Sequence, residues 1–145
     1  MSETNETTAT ETLLMEREYT SPPERVFEAW TDIDIVRLWF GCADEKLWDV
    51  HEWDARVGGK YHVSLDFDGN PFEVRGEFTV VDPPHHLSYR WSNDEIIDVT
   101  IEPRGSGSHL VLKHTFPAGG PEGQIRTVGW TYSLGQLGLA GLPVG

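Results

Sequence analysis

The sequence predicts an α+β domain in which one curved antiparallel sheet, with two short helices, wraps around a long C-terminal helix. Three observations carry this class. Apolar residues recur at helical spacing before residue 41 and after residue 122, but at every second position between residues 46 and 116. The breaks in that middle stretch are turn sequences: Asp68-Gly69-Asn70-Pro71, Asp82-Pro83-Pro84, Ser92-Asn93-Asp94 and Arg104-Gly105-Ser106-Gly107. They join strands as hairpins and leave no room for the crossover helices of a parallel sheet. Strands that alternate bury only one face, so the sheet needs a cover, and the final helical stretch is apolar on more than one side.

The elements follow in order. Residues 1–12, MSETNETTATET, are rich in Thr and Glu and lack the basic and apolar regions of a secretory signal. They are expected to form a disordered acidic tail, with residues 13–145 as a single domain. Leu13 to Tyr19 reads as a strand. In Ser21-Pro22-Pro23-Glu24 the serine precedes a glutamate by three residues, as in a capping box, with proline in the first turn. The helix that follows presents Val26, Phe27 and Trp30. Thr31 or Asp32 can cap a second helix with Ile35, Leu38 and Trp39 on its face and Gly41 as its stop. Both helices are too short to stand alone. Six strands are expected at Leu47–Trp53, Lys60–Phe67, Phe72–Val81, Leu87–Trp91, Ile96–Ile101 and His109–Phe116. The last helix, Glu122 to Leu142, places Ile125, Val128, Tyr132 and Leu139 on one face and Trp130, Leu134 and Leu137 on another. Its four inner glycines each cost about 1 kcal/mol against alanine. Gly58-Gly59 leads into a strand rather than a helix, so it is expected to mark a bend in the sheet and not a phosphate cradle.

Composition narrows the function. With 24 acidic and 11 basic residues the net charge is −13, which repels nucleic-acid backbones and anionic membranes. No apolar run approaches the roughly 20 residues needed to span a bilayer. The single cysteine, Cys42, excludes an intramolecular disulfide and a thiolate metal cluster, and a cytoplasmic location is expected. No nucleotide-loop, serine-elbow or His-x-x-x-His motif occurs, so no cofactor, metal or nucleophilic centre is called for.

Five segments, "SPPERVFEAWTDIDIVRLWFG" (21–41), "DARVGGKYHV" (54–63), "RGEFTVVDPPHHLSYRW" (75–91), "VTIEPRGSGSHLVLKH" (99–114) and "GW" (129–130), occur in an order that resembles the START-like (SRPBCC) proteins. Within them the chain is similar to the AHSA-type branch, named for the activator of heat shock protein 90 ATPase. The resemblance implies a helix-grip (Bet v 1-like) fold with an apolar cavity between sheet and C-terminal helix. Two features depart from the pattern. Cys42 stands where the family usually has proline, and the C-terminal helix is glycine-rich.

If the sheet curls around the helix bearing Trp130, the inward residues of the strands line that cavity. The candidates are Trp53, Tyr61, Val63, Phe72, Val74, Tyr89, Trp91, Leu112, His114 and Trp130. His114 shares its face with Leu110, Leu112 and Phe116, so it is either a cavity acid, base or ligand anchor, or a hydrogen-bonded core histidine. His62 and His109 fall on polar faces. Asp54 and Arg56 are placed to form a surface ion pair beside the glycine corner. The leading expectation is a binding module for a small apolar or aromatic molecule. A cyclase- or hydrolase-like enzyme using His114 with Tyr89 is the alternative, followed by a chaperone-interaction protein as the family name suggests. A homodimer through exposed tryptophans stays open.

Overall fold

The computed structural model describes residues 10–41, 46–67, 69–91, 95–117 and 122–138. The elements run β1 (Thr10–Tyr19), α1 (Pro23–Thr31), α2 (Ile33–Trp39), β2 (Asp49–Trp53), β3 (Lys60–Phe67), β4 (Asn70–Asp82), β5 (His86–Trp91), β6 (Glu95–Arg104), β7 (Gly107–Pro117) and α3 (Glu122–Gln136). The strands form one antiparallel sheet in the order β1-β7-β6-β5-β4-β3-β2. Each neighbour from β2 to β7 is a hairpin partner, and β1 closes the far edge against β7. α1 packs on β6 and β7, α2 on β2, and α3 on β1 and α2. This is the α+β helix-grip arrangement that the change of period predicts. Among the described residues no helix is long and apolar enough to cross a membrane.

Four local expectations change. β1 begins at Thr10, not Leu13, because Thr10, Glu11 and Thr12 pair with Pro117, Phe116 and Thr115. Ladder hydrogen bonds, helped by a 3.2 Å contact between the Thr12 and Thr115 hydroxyls, order a stretch too polar to read as a strand. Residues 1–9 of the expected tail lie outside the described residues. The N-cap position falls one residue after Ser21. α1 starts one residue later, at Pro23, with Pro22 at the N-cap and no side chain capping it. Proline in the first turn already removes one of the donors that a cap would satisfy. Ser21 instead offers its carbonyl to the Ser108 hydroxyl at 2.6 Å.

At the second helix, Asp32 caps as expected, accepting from the Asp34 N–H at 3.0 Å. Its end is not Gly41 but Phe40, which is extended. Gly41 serves a close approach instead. Its N–H donates to Ser133 Oγ, and that hydroxyl donates back to the Gly41 carbonyl, both at 2.9 Å. A Cβ here would lie 2.5 Å from the Tyr132 ring. The expectations at Cys42, at the Ser92-Asn93-Asp94 turn and beyond residue 138 of the last helix fall outside the described residues. Within α3, Trp130, Ser133 and Leu134 are buried, as is Leu137 just past its end.

The sheet turns at β4. Its first half pairs with β3 from Asn70 to Glu77, and its second half pairs with β5 from Phe78 to Asp82, with a register shift between Phe78 and Val80. A bulge at such a handover bends the strand and sharpens its twist. Gly58 and Gly59 sit in the β2–β3 connection against this bend, not within a strand. Gly58 donates to the Phe78 carbonyl at 2.8 Å, and the Gly59 carbonyl accepts from Phe78 N–H at 2.9 Å. Gly58 has φ +83°, and a Cβ on Gly59 would lie 1.9 Å from the Asp54 carbonyl oxygen. The glycines therefore mark the corner without forming its hinge. The expected Asp54–Arg56 pair is present at 2.9 Å on the surface.

Candidate functional site: the aromatic interior

The concave side of the sheet carries a connected network of rings that contains all six tryptophans of the chain. Phe40 is its hub. Its ring lies 5.7–6.1 Å from those of Trp39, Trp48, Trp53, Trp91 and Trp130. Trp53 continues the network to Tyr61, Phe78 and Tyr89 at 5.3–5.6 Å. Edge-to-face and offset contacts of this kind add to the burial of large apolar surface. Phe40 escapes sequence reasoning because it lies in the extended link after α2, where no periodicity assigns it a face. The only local sign is the run Trp39-Phe40-Gly41 at the end of a helix.

The indole N–H groups are positioned by the end of α1. The last carbonyls of a helix lack intrahelical donors. Here Trp39 Nε1 donates to the Ala29 carbonyl at 2.9 Å, and Trp53 Nε1 donates to the Trp30 carbonyl at 2.8 Å. The two side chains thus complete the helix end and are themselves fixed.

His114 points inward, as its alternation predicts, and only 3% of it is exposed. Trp130 Nε1 donates to its Nδ1 at 2.9 Å, and its Nε2 lies 2.6 Å from Glu95 Oε1. An indole N–H can only donate, so Nδ1 is the acceptor and Nε2 carries the proton given to Glu95. Both ring nitrogens are engaged. The geometry is that of the hydrogen-bonded core histidine, and the residue offers no lone pair to a substrate. Glu95 is the partner that sequence reasoning missed, since only the β6–β7 register brings it beside His114.

The other cavity candidates divide by burial. Trp53, Tyr61, Val63, Val74, Tyr89, Leu112 and Trp130 are buried around the network, and Trp91 is half-buried. Phe72 departs from expectation. It shares the face of Val74 but lies near the β3–β4 turn, where its ring is 51% exposed and meets Trp48 at 6.0 Å. It sits at the rim of the interior and does not line it. Tyr61 has a further role. Its hydroxyl donates to the Arg90 carbonyl, across the gap left where β4 parts from β5. Gly76 makes room for that ring, since a Cβ there would lie 2.7 Å from Tyr61 and 2.2 Å from the Arg90 oxygen.

Three further histidines, on the outer face of the sheet, pair with carboxylates. His62 pairs with Glu73 at 2.9 Å, His86 with Asp98 at 2.6 Å, and His109 with Glu16 at 2.8 Å. The hydrogen bond from His62 holds the Glu73 carboxyl below its ordinary range. Among the described residues no three His, Cys, Asp or Glu side chains are grouped to hold a metal.

Comparison with known proteins places this geometry. Three solved structures share the fold along nearly the whole chain. Protein CV1439 from Chromobacterium violaceum is 27% identical, with a TM-score of 0.80, over 91% of this chain and 97% of its own. Mll3558 from Rhizobium loti is 25% identical, with a TM-score of 0.75 and the same coverage, 91% and 97%. CalU16 from Micromonospora echinospora, at 22% identity and a TM-score of 0.68 over 92% of this chain and 77% of its own, shows the likeness of fold alone. No curated protein matches the chain. The model of the family described as "Activator of Hsp90 ATPase homolog 1-like protein" matches residues 20–139. With that match spanning most of its length, the chain belongs to the family of activator of Hsp90 ATPase homolog 1-like proteins.

Proposed function

We propose that the protein binds a small apolar or aromatic molecule in the interior between its curved sheet and α3. The observation that carries this reading is the ring network around Phe40, which concentrates every tryptophan of the chain on the concave side of the sheet. Sites for small ligands are walled by apolar and aromatic side chains with a few placed polar groups. The half-exposed Phe72, resting on Trp48, and the half-buried Trp91 mark the end of the sheet by which a guest enters. The engaged nitrogens of His114 favour binding over acid–base catalysis. A reducing, cytoplasmic setting fits a chain with one cysteine.

Because the tryptophans are the wall, they report arrival. A panel of flat aromatic and fatty compounds is expected to change intrinsic fluorescence saturably, with at least one compound giving a one-site isotherm. A panel that produces only linear, unsaturable quenching would remove the support for an interior site.

A further inference from the structure

Most polar atoms in the aromatic interior are paired. The indoles of Trp39, Trp53 and Trp130 donate to Ala29, Trp30 and His114. The hydroxyls of Tyr19 and Tyr61 donate to the carbonyls of Leu134 and Arg90. Two atoms break the pattern. Trp30 Nε1 and Tyr89 Oη are buried and have no hydrogen-bond partner among the described residues, although neither side chain has measurable exposure. The Trp30 ring lies 4.6 Å from that of Trp39 and 5.9 Å from that of Trp130, and the Tyr89 ring lies 5.6 Å from that of Trp53, so both belong to the same ring network.

A buried donor left unpaired weakens a fold, and phenylalanine would fill the place of Tyr89 without that cost. Desolvation pushes the Tyr89 hydroxyl well above its ordinary range, so it stays protonated. An indole N–H can only donate. Nearby His114 is spoken for, and the one carboxyl beside it, Glu95, is acidic. An anionic guest would meet the Glu95 carboxyl, an acceptor that gives it no hydrogen bond.

Resting on the binding reading above, we propose that Trp30 Nε1 and Tyr89 Oη are the recognition groups of the interior. The guest is then a neutral aromatic molecule that carries a hydrogen-bond-accepting oxygen, as in a ketone or quinone. A carbonyl oxygen satisfies either donor; a hydrocarbon satisfies neither.

Fluorene and fluorenone differ by one carbonyl and serve as matched probes. Their affinities are measured by equilibrium dialysis for the parent, Tyr89→Phe and Trp30→Phe, alongside thermal melting. The ratio of ketone to hydrocarbon affinity is expected to fall about tenfold in one or both variants, the size of one neutral hydrogen bond. Tyr89→Phe is expected to melt no lower than the parent. Should Trp30→Phe not fold, the near-isosteric Tyr89→Phe still decides, because its ratio must then fall. A ratio unchanged in every variant that folds, or a lower melting point for Tyr89→Phe, overturns the inference while leaving interior binding intact. If the parent binds neither probe, the inference fails, and the panel of flat aromatic and fatty compounds decides the binding reading separately.

Discussion

Replacing His114 with leucine is expected to destabilise the protein by about 3 kcal/mol, the low end for breaking a buried hydrogen-bonded pair. The leucine removes the acceptor of Trp130 Nε1 and the donor to Glu95 in one step. Both partners are buried, with side-chain exposures of 3% for His114 and 11% for Glu95, so water replaces neither bond fully. For a domain of this size the loss corresponds to a fall in melting temperature of about 10 °C. Glu95→Gln should cost much less, because its amide oxygen still accepts from Nε2. If His114→Leu melts like the parent, the inward chain of Glu95, His114 and Trp130 is not holding the sheet to α3.

Around the bend, Gly76→Ala and Gly59→Ala are expected to destabilise by about 3 kcal/mol each, the upper range for overpacking. In both cases the added carbon meets a backbone carbonyl, Arg90 at 2.2 Å or Asp54 at 1.9 Å, and a backbone atom cannot swing aside. At Gly58 the space is open, and only φ +83° opposes a side chain. Gly58→Ala should therefore cost about 1 kcal/mol, the penalty of the left-handed region. Chemical denaturation of the three variants gives the ranking directly. Equal losses at Gly58 and Gly59 would contradict the close approach to Asp54.

These two predictions also show what the sequence can and cannot disclose. The alternation from Lys60 to Phe67 and from Ile96 to Ile101 is a local property, so the strands and their inward faces are legible before any pairing is known. The bend is not. The pair Gly58-Gly59 is conspicuous, but the handover of β4 from β3 to β5 depends on register, and the single Gly76 beside it gives no local sign. The polar chain of the interior is hidden for the same reason. His114 is visibly inward, whereas its partners come from β6 and α3 and meet it only in the folded protein. Phe72 misleads because alternation assigns a face but not a depth, and a strand end near a turn leaves that face open. The unpaired state of Tyr89 Oη and Trp30 Nε1 is a property of packing alone.

The central claim is an interior that receives a small aromatic molecule, and the six indole N–H resonances test it most directly. With nitrogen-15-labelled tryptophan, a titration with fluorenone should shift the Trp30 indole signal saturably and by more than those of Trp39 and Trp53. Those two indoles are already bonded to the Ala29 and Trp30 carbonyls. Indole signals that stay in place while backbone amides on the outer face move would contradict the account.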